Sequence, residues 1–459
     1  MKKIYFFTFI LLNLLNSCSS NDDSEKNKLT ASFKLSATKV NIGDEIKVTN
    51  LSTSSAEIAS YTFVFGNNVK STEKEPTFYY SESGEYTVSL TIIDVNGAAS
   101  STSIKVSVTN ENSLLVENKN PGGSDTYPLE IGIHDNKIFY TEAIRSVLTS
   151  NSSFYRHLEY DDVTRTFTTK VIAQKGINSG HAQTIFLNNG NKIVTFVESI
   201  NYIGHKEVEL NSDWNSIRAD NYSYKTIYGS LQNNDQYYFY GSYSQNPAIE
   251  IRNSAGQFVS RKTYENTLKN AFIGNLIKTG NTYIAFGGKY DTSQTEAFTN
   301  YKPILLFLNE NLEITNQKIF ETGNLKKVGQ SWNNLNGSFI VRKLTNGNLV
   351  LYSHNELRIT TDQGEQLNVI TFQNSDSYIQ GLIEVENGFI VSSAYKLEKY
   401  DNNGTLIKSV RYQGSGNSGF VKKGDLIYFA AGYGASYENY SLNKAALGAM
   451  DSNLNFKKI

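Results

Sequence analysis

Residues able to act as nucleophiles, general bases or metal ligands are few in this chain, and their spacing excludes most of the chemistry they could perform. The five histidines are His134, His157, His181, His205 and His354, and the only cysteine is Cys18. No two histidines stand at a ligand spacing and no thiolate cluster can form, so a metal site has no basis in the sequence. Asp401-Asn402-Asn403-Gly404 offers oxygen ligands, but no bidentate Glu follows at the twelfth loop position, so it reads as a turn and not a calcium loop. There is no G-x-S-x-G elbow for an activated serine. Glycoside hydrolysis needs two carboxyl groups flanking one bond, and nothing brings candidates such as Glu296 and Glu321 together. Gly414-Ser415-Gly416-Asn417-Ser418-Gly419 is glycine-rich, but no strand-to-helix turn follows to cradle a phosphate. No catalytic residue, metal or cofactor is expected.

Binding chemistry is better represented. Trp332 lies in the polar run Gly329-Gln330-Ser331-Trp332-Asn333-Asn334, and Tyr202, Tyr243, Tyr290, Tyr433 and Tyr437 lie in other segments rich in Gly, Asn and Ser. Aromatic faces beside amides suit sugar rings, which present C–H patches and hydroxyls together. They suit a protein partner equally well, because Tyr and Trp concentrate at binding hot spots. His181 and His205 join them as candidate polar contacts. Trp214, at the start of an outer strand, reads as structural. Lys and Arg total 43 against 44 Asp and Glu, and this balance excludes a nucleic-acid surface, which needs a basic excess.

The elements that must position these side chains are strands. Tyr (30) and Phe (25) far outnumber Met (2) and Trp (2), a bias that fits pleated, half-buried surfaces. No window keeps a 3.6-residue period with caps for three turns, so the expected fold class is all-β. Residues 29–109 alternate strongly: Tyr86, Val88, Leu90 and Ile92 face one way, Thr87, Ser89 and Thr91 the other, and turn residues recur at Gly43-Asp44, Gly66-Asn67-Asn68, Ser83-Gly84 and Asn96-Gly97. Such spacing indicates a β-sandwich. The runs Ser60-Tyr61-Thr62-Phe63-Val64-Phe65-Gly66, Pro76-Thr77-Phe78-Tyr79-Tyr80 and Gly84 to Asp94 with Asn96-Gly97 resemble a PKD domain, an Ig-like module. Phe63 stands where that family usually has Trp, and Asn67-Asn68 replaces its usual Asp-Gly. The resemblance implies a spacer or interaction module outside the cytoplasm.

Residues 113–459 carry two recurring signals. The first is a tight turn followed by an apolar run, at Asp135-Asn136, Gly190-Asn191, Asn234-Asp235, Gly280-Asn281, Gly347-Asn348, Asn387-Gly388 and Gly424-Asp425. The second is a strand, a polar turn and a strand, centred on Asp161, Asn211, Asn253, Asn309, Asp362, Asp401 and Asp451, with a mean spacing of about 48 residues. Two hairpins per repeat make a four-stranded unit, and a ring of such units buries both faces of each sheet. This predicts a seven-bladed β-propeller, with six or eight blades as alternatives. Ring closure would use Ser113 to Val116, pairing into a last blade whose final strand, Asn455 to Ile459, stops short. The long loops, including Gly241 to Pro247 and Ala431 to Leu442, fall on one face, where binding is expected. The repeated S-x-D-x-G-x-T-W box of sialidase-type propellers is absent.

The N-terminus reads as an address. Lys2 and Lys3 precede the apolar stretch Ile4 to Leu15, and Leu15-Asn16-Ser17-Cys18 resembles a bacterial lipobox, which implies a signal peptide over residues 1–17 and lipidation of Cys18. Residues 18–28 are acidic and polar, read as a flexible tether, and resemble the export signal of surface lipoproteins in Bacteroidetes. The expectation is an outer-membrane lipoprotein, lipid-anchored, exposed at the cell surface or facing the periplasm, monomeric, and non-enzymatic. It would bind a glycan or an envelope protein through the loop-rich propeller face. A carbohydrate-active hydrolase or lyase at the channel mouth is one alternative, which requires two or more charged side chains with shifted pKa values there. An architectural scaffold of an envelope complex is the other.

Overall fold

The computed structural model describes residues 29–41, 44–80, 84–109, 115–116, 124–146, 153–172, 182–198, 204–222, 225–290, 301–321, 339–353, 356–372, 379, 381–393, 396–411, 415–437, 440–457 and 459. Every regular element among them is a β-strand. They divide into two compact units.

The N-terminal sandwich pairs a three-stranded sheet (Phe33–Leu35, Ile46–Asn50, Thr77–Phe78) with a five-stranded one (Lys39–Asn41, Ala99–Thr109, Gly84–Asp94, Ile58–Val64, Lys70–Ser71). Val88, Leu90 and Ile92 point inward in strict alternation, as a strand with one buried face requires. Phe63 fills the position expected for Trp: it is fully buried, edge-on to Phe33 at 5.6 Å and stacked on Phe65 at 6.4 Å. Asn68 takes φ +68°, and Asn67 Oδ1 accepts from the Val69 amide. An Asn pair thus meets the turn geometry that Asp-Gly would otherwise supply.

Among the described residues, the second unit contains seven successive antiparallel sheets, each built from four consecutive strands in sequence order. Their first strands are Ser124–His134, Ala182–Phe186, Lys225–Asn233, Ala271–Thr279, Phe339–Lys343, Gly381–Val385 and Ser415–Lys423. The turns leaving these strands have positive φ at Asp135 and Asn136, Gly190, Asn234, Gly280, Gly347, Asn387 and Gly424, the seven positions expected from the sequence. The second hairpin of each repeat is closed by a side-chain acceptor. Asn211, Asn253, Asn309, Asp401 and Asp451 each accept, through Oδ1, the amides two and four residues on. In the fifth sheet this acceptor is Thr361 and not Asp362, because Thr361 Oγ1 takes the amides of Gln363 and Glu365. In the second to sixth sheets a bulge follows each of these turns, and in four of them the extra residue is an exposed apolar one: Ile217, Val259, Leu367 and Ile407. A bulge that turns the outer strand outward guards an edge against pairing with another chain.

Packing runs from sheet to sheet. Tyr155 of the first sheet joins Val194, Phe196 and Val208 of the second; Ile185 and Ile193 of the second join Tyr237 and Phe239 of the third. The third meets the fourth around Tyr240 and Ala285, the fourth meets the fifth around Phe286 and Val341, and the fifth meets the sixth around Leu357 and Phe389. Gly381 of the sixth lies against Gly419 and Phe420 of the seventh. Ile138, Tyr140 and Leu158 of the first sheet share a cluster with Tyr428, Ala430 and Leu447 of the last. Leu115 and Val116 pair antiparallel with Leu447 and Ala446, on the strand that also pairs Phe456–Lys457, as expected for the short final strand.

Candidate functional site

The seven first strands line one hollow of about 250 Å³. Each strand contributes: Glu130, Gln183, Tyr228, Asn275, Arg342, Leu382 and Phe420 represent the seven sheets in order, with Tyr240 added from the third sheet's second strand. The volume lies below the roughly 300–1,000 Å³ usual for small-molecule clefts, so it has room for one compact group. Bulges shape the wall. The first strands of the first, third and fourth sheets slip register at Pro128/Glu130, Ile227/Gly229 and Ile273/Asn275. The residues left unpaired, Leu129, Tyr228 and Gly274, all face the hollow. Gly274 is required there: a Cβ would meet the Phe339 Cβ at 2.6 Å.

Glu130 is held from the second sheet. The Thr184 amide donates to its Oε2 at 2.8 Å, and Tyr155 and Thr184 share a hydroxyl contact at 3.0 Å. Its side chain borders the hollow yet lies deep in the protein. Burial raises its pKa to about 8, against the lowering effect of the Thr184 hydrogen bonds, so the carboxyl is mainly protonated at neutral pH. Asn275 ties the fourth sheet to its neighbours: its Oδ1 accepts from the Val341 amide at 3.1 Å and from Arg342 Nη1 at 3.4 Å, and its Nδ2 donates to Tyr240 Oη at 3.4 Å. Arg342 Nη1 also donates to the Val341 carbonyl at 2.8 Å. Burial lowers the Arg342 pKa, although a guanidinium stays charged in proteins. Gln183 Oε1 is buried with no hydrogen-bond partner.

A second polar cluster is closed to ligands. Between the second and third sheets, Lys225 Nζ lies 2.7 Å from Glu207 and 3.2 Å from Glu250, and Arg252 Nη2 lies 2.8 Å from Glu207 and 2.7 Å from Glu250. All four are buried. Arg261 reaches Glu250 at 2.8 Å and places its guanidinium 3.9 Å from the Tyr243 ring centroid. Burial would raise the Glu250 pKa, but Lys225 and Arg252 bring it below the usual range. This network joins sheets. Another group gathers where the first and second sheets meet. His157 is fully buried, 5.0 Å from Phe139 and 4.4 Å from Trp214 by ring centroids, while His134 stacks on Phe186 at 3.6 Å. No group of three His, Cys, Asp or Glu able to hold a metal occurs among the described residues.

The sequence-derived candidates fare unevenly. Cys18, His181, Tyr202 and Trp332 lie outside the described residues, as does much of the loop-rich face. Tyr243 ends a strand (Gln236–Tyr243) that leads into a two-residue turn at Ser244 and Gln245, so Gly241 to Pro247 is a hairpin and not a loop. Tyr290 ends the strand Thr282–Tyr290, and His205 lies in Gly204–Leu210, opposite Val197 and Tyr222. Tyr433 and Tyr437 belong to Leu426–Tyr437, which pairs with Tyr440–Met450; the expected loop from Ala431 to Leu442 is a long hairpin. Trp214 packs on His157 with Lys192 above it, in a turn just ahead of the strand Ser216–Tyr222. Sequence reasoning missed Glu130, Gln183, Asn275 and Arg342. Their signal was a polar residue interrupting an apolar first strand, as in Phe339-Ile340-Val341-Arg342.

Residues 31–109 match the family model of the PKD domain, so this sandwich is a PKD domain. Collagenase ColA of Clostridium perfringens is 32% identical over 108 residues, which are 23% of this chain and 10% of that protein. The chain thus spans about a tenth of that relative's length. A quinonprotein alcohol dehydrogenase-like protein from Bacteroides thetaiotaomicron aligns over 82% of this chain and 93% of its own, at 10% identity and a TM-score of 0.40. The Neurospora crassa Pan2 WD40 domain aligns over 75% and 96%, at 12% identity and a TM-score of 0.39.

Proposed function

We propose that the seven sheets form a closed seven-bladed propeller, and that the chain is an outer-membrane lipoprotein of Bacteroidetes type whose propeller binds a glycan or an envelope protein without turning it over. The lipobox ending in Cys18 and the acidic tether support the anchor, and the PKD domain serves as spacer. The cluster shared by the first and last sheets, with Leu115 and Val116 paired into the last, supports closure. The observation that carries the binding reading is the hollow's lining: amides, aromatic rings, one arginine and a single carboxyl, Glu130, among the described residues. Two-carboxylate glycoside hydrolysis has no partner for Glu130 there. The second reading, a carbohydrate-active hydrolase or lyase, is favoured by two charged side chains with shifted pKa values at the hollow, Glu130 raised and Arg342 lowered, and by the protonated state of Glu130, which a general acid needs.

A glycan array and a pull-down from detergent-solubilised envelopes, run beside an assay for released sugar ends, separate the two. Retention of a glycan or envelope protein without released ends is expected. Release of sugar ends with nothing retained would establish the enzyme instead. Incorporation of an alkyne-tagged fatty acid, abolished in Cys18→Ser, checks the anchor.

A further inference from the structure

We propose that the hollow between the seven first strands recognises a sugar acid, with Arg342 gripping its carboxylate. This deepens the binding reading above and rests on it. Among the described residues, the three fully buried arginines all have carboxylate partners: Arg156 has Glu142, Arg252 has Glu207 and Glu250, and Arg358 has Glu356. Arg342 lines the hollow and has none within 4 Å among the described residues. Its Nη1 is spent on the Val341 carbonyl and Asn275 Oδ1, while Nε and Nη2 make no hydrogen bond to a described residue. Arg342 is half-buried at the wall of the hollow, and an anion there would supply the counter-charge it lacks. Its planar fork fits a carboxylate through two parallel N–H donors.

The other walls fit the rest of such a molecule. Glu130, protonated at neutral pH, adds no negative charge to repel the anion and can donate to a hydroxyl. Gln183 Oε1 is a buried acceptor with no partner. Tyr228 and Tyr240 supply ring surface for C–H groups. The small volume suits one sugar unit, such as the end of a chain, and not a polymer threaded through.

Titration calorimetry of the full-length protein tests this with D-glucuronate, D-glucuronamide, D-glucose and sodium sulfate. Glucuronate should bind at least tenfold more tightly than glucuronamide or glucose. Arg342→Gln should lose at least tenfold in affinity, Arg342→Lys should lose less, and Lys343→Gln, an exposed neighbour, should bind as the natural chain does. Thermal melts of each variant confirm folding, and Arg342→Lys keeps the test decisive if Arg342→Gln does not fold. Equal binding of glucuronate and glucuronamide, or glucuronate binding unchanged in the Arg342 variants, overturns the proposal. Sulfate bound as tightly as glucuronate means an adventitious ion only and also overturns it. If neutral glycans are retained on the array while glucuronate is not bound, the sugar-acid inference fails and the binding module stands.

Discussion

Glu130 keeps its proton near neutral pH because burial away from water outweighs the hydrogen bonds from Thr184 that favour the carboxylate. The unfolded carboxyl titrates near 4.5 and the folded one near 8. Between these values the unfolded state releases a proton that the folded state retains, so this group lowers stability progressively as pH rises. Glu130→Gln keeps an acceptor for Thr184 and removes the titration. It should match the natural chain at pH 4 and exceed it at pH 8 by on the order of 2–4 kcal/mol, measured by urea denaturation at both pH values. His157 works in the opposite pH range. Burial holds its pKa below 6.5, and its Nε2 lies 3.6 Å from Glu159 Oε1, too far for a hydrogen bond. As pH falls below 6.5 the unfolded imidazole takes up a proton first, and stability declines. In His157→Leu the slope of stability against pH between 6.5 and 5 should be shallower than in the natural chain. An unchanged slope would mean that His157 is not the group responsible.

At the scale of single elements, the repeating turn does most to define the second unit. Asp401 accepts the amides of Asn403 and Thr405, and Gly404 completes the turn at φ +86°. Although burial opposes ionisation, these amides hold Asp401 below its usual pKa, so its contribution is present above pH 3.8 and is lost as pH falls through the lowered value. Asp401→Ala should cost about 1 kcal/mol and Asp401→Asn much less, since the amide oxygen still accepts. Gly404→Ala should cost about 1–2 kcal/mol for its left-handed backbone alone, and its new Cβ would lie 2.7 Å from Ile359 Cδ1. Thermal melts of the three variants rank these effects. Such turns were legible in the sequence because Asn, Asp and Gly are nearly the only residues that meet their geometry. Even so, the fifth repeat used Thr361 one residue early, and Leu312 and Leu454 take positive φ inside buried surroundings, which residue type alone does not signal. The hollow was not legible. Glu130, Asn275 and Arg342 each stand five residues before the turns at Asp135, Gly280 and Gly347, but Gln183 stands seven before Gly190, and the bulges at Leu129, Tyr228 and Gly274 shift the strand register by one residue, reversing which side chains face inward. The aromatics chosen from composition turned out to include strand residues such as Tyr243, engaged by Arg261.

For the whole second unit, the joint between its first and last sheets is where the proposed closure can be tested. A four-stranded sheet has two apolar faces, and each sheet here spends both on its neighbours, so opening any one joint exposes two of them. The joint between the ends carries more than the shared cluster of Tyr140, Leu158, Tyr428 and Leu447. The Ala445 amide donates to Thr126 Oγ1 at 2.7 Å, and Lys423 Nζ donates to the Asn136 carbonyl at 2.6 Å and pairs with Asp162. Leu115 and Val116 add a strand from the N-terminal side beside the two-residue strand at the C-terminal end, so segments from both ends of this unit hold one sheet. If that arrangement closes a ring, weakening it should loosen all seven sheets together instead of releasing one end. Val116→Pro removes a backbone donor from the added strand. It should lower the stability of the second unit by about 1–3 kcal/mol while its urea unfolding remains a single transition. Hydrogen exchange should then show faster opening at amides as distant as Leu351 and Val391. Faster exchange confined to the last sheet, with the other sheets unchanged, would mean that the ends are merely adjacent and that the seven sheets do not behave as one closed body.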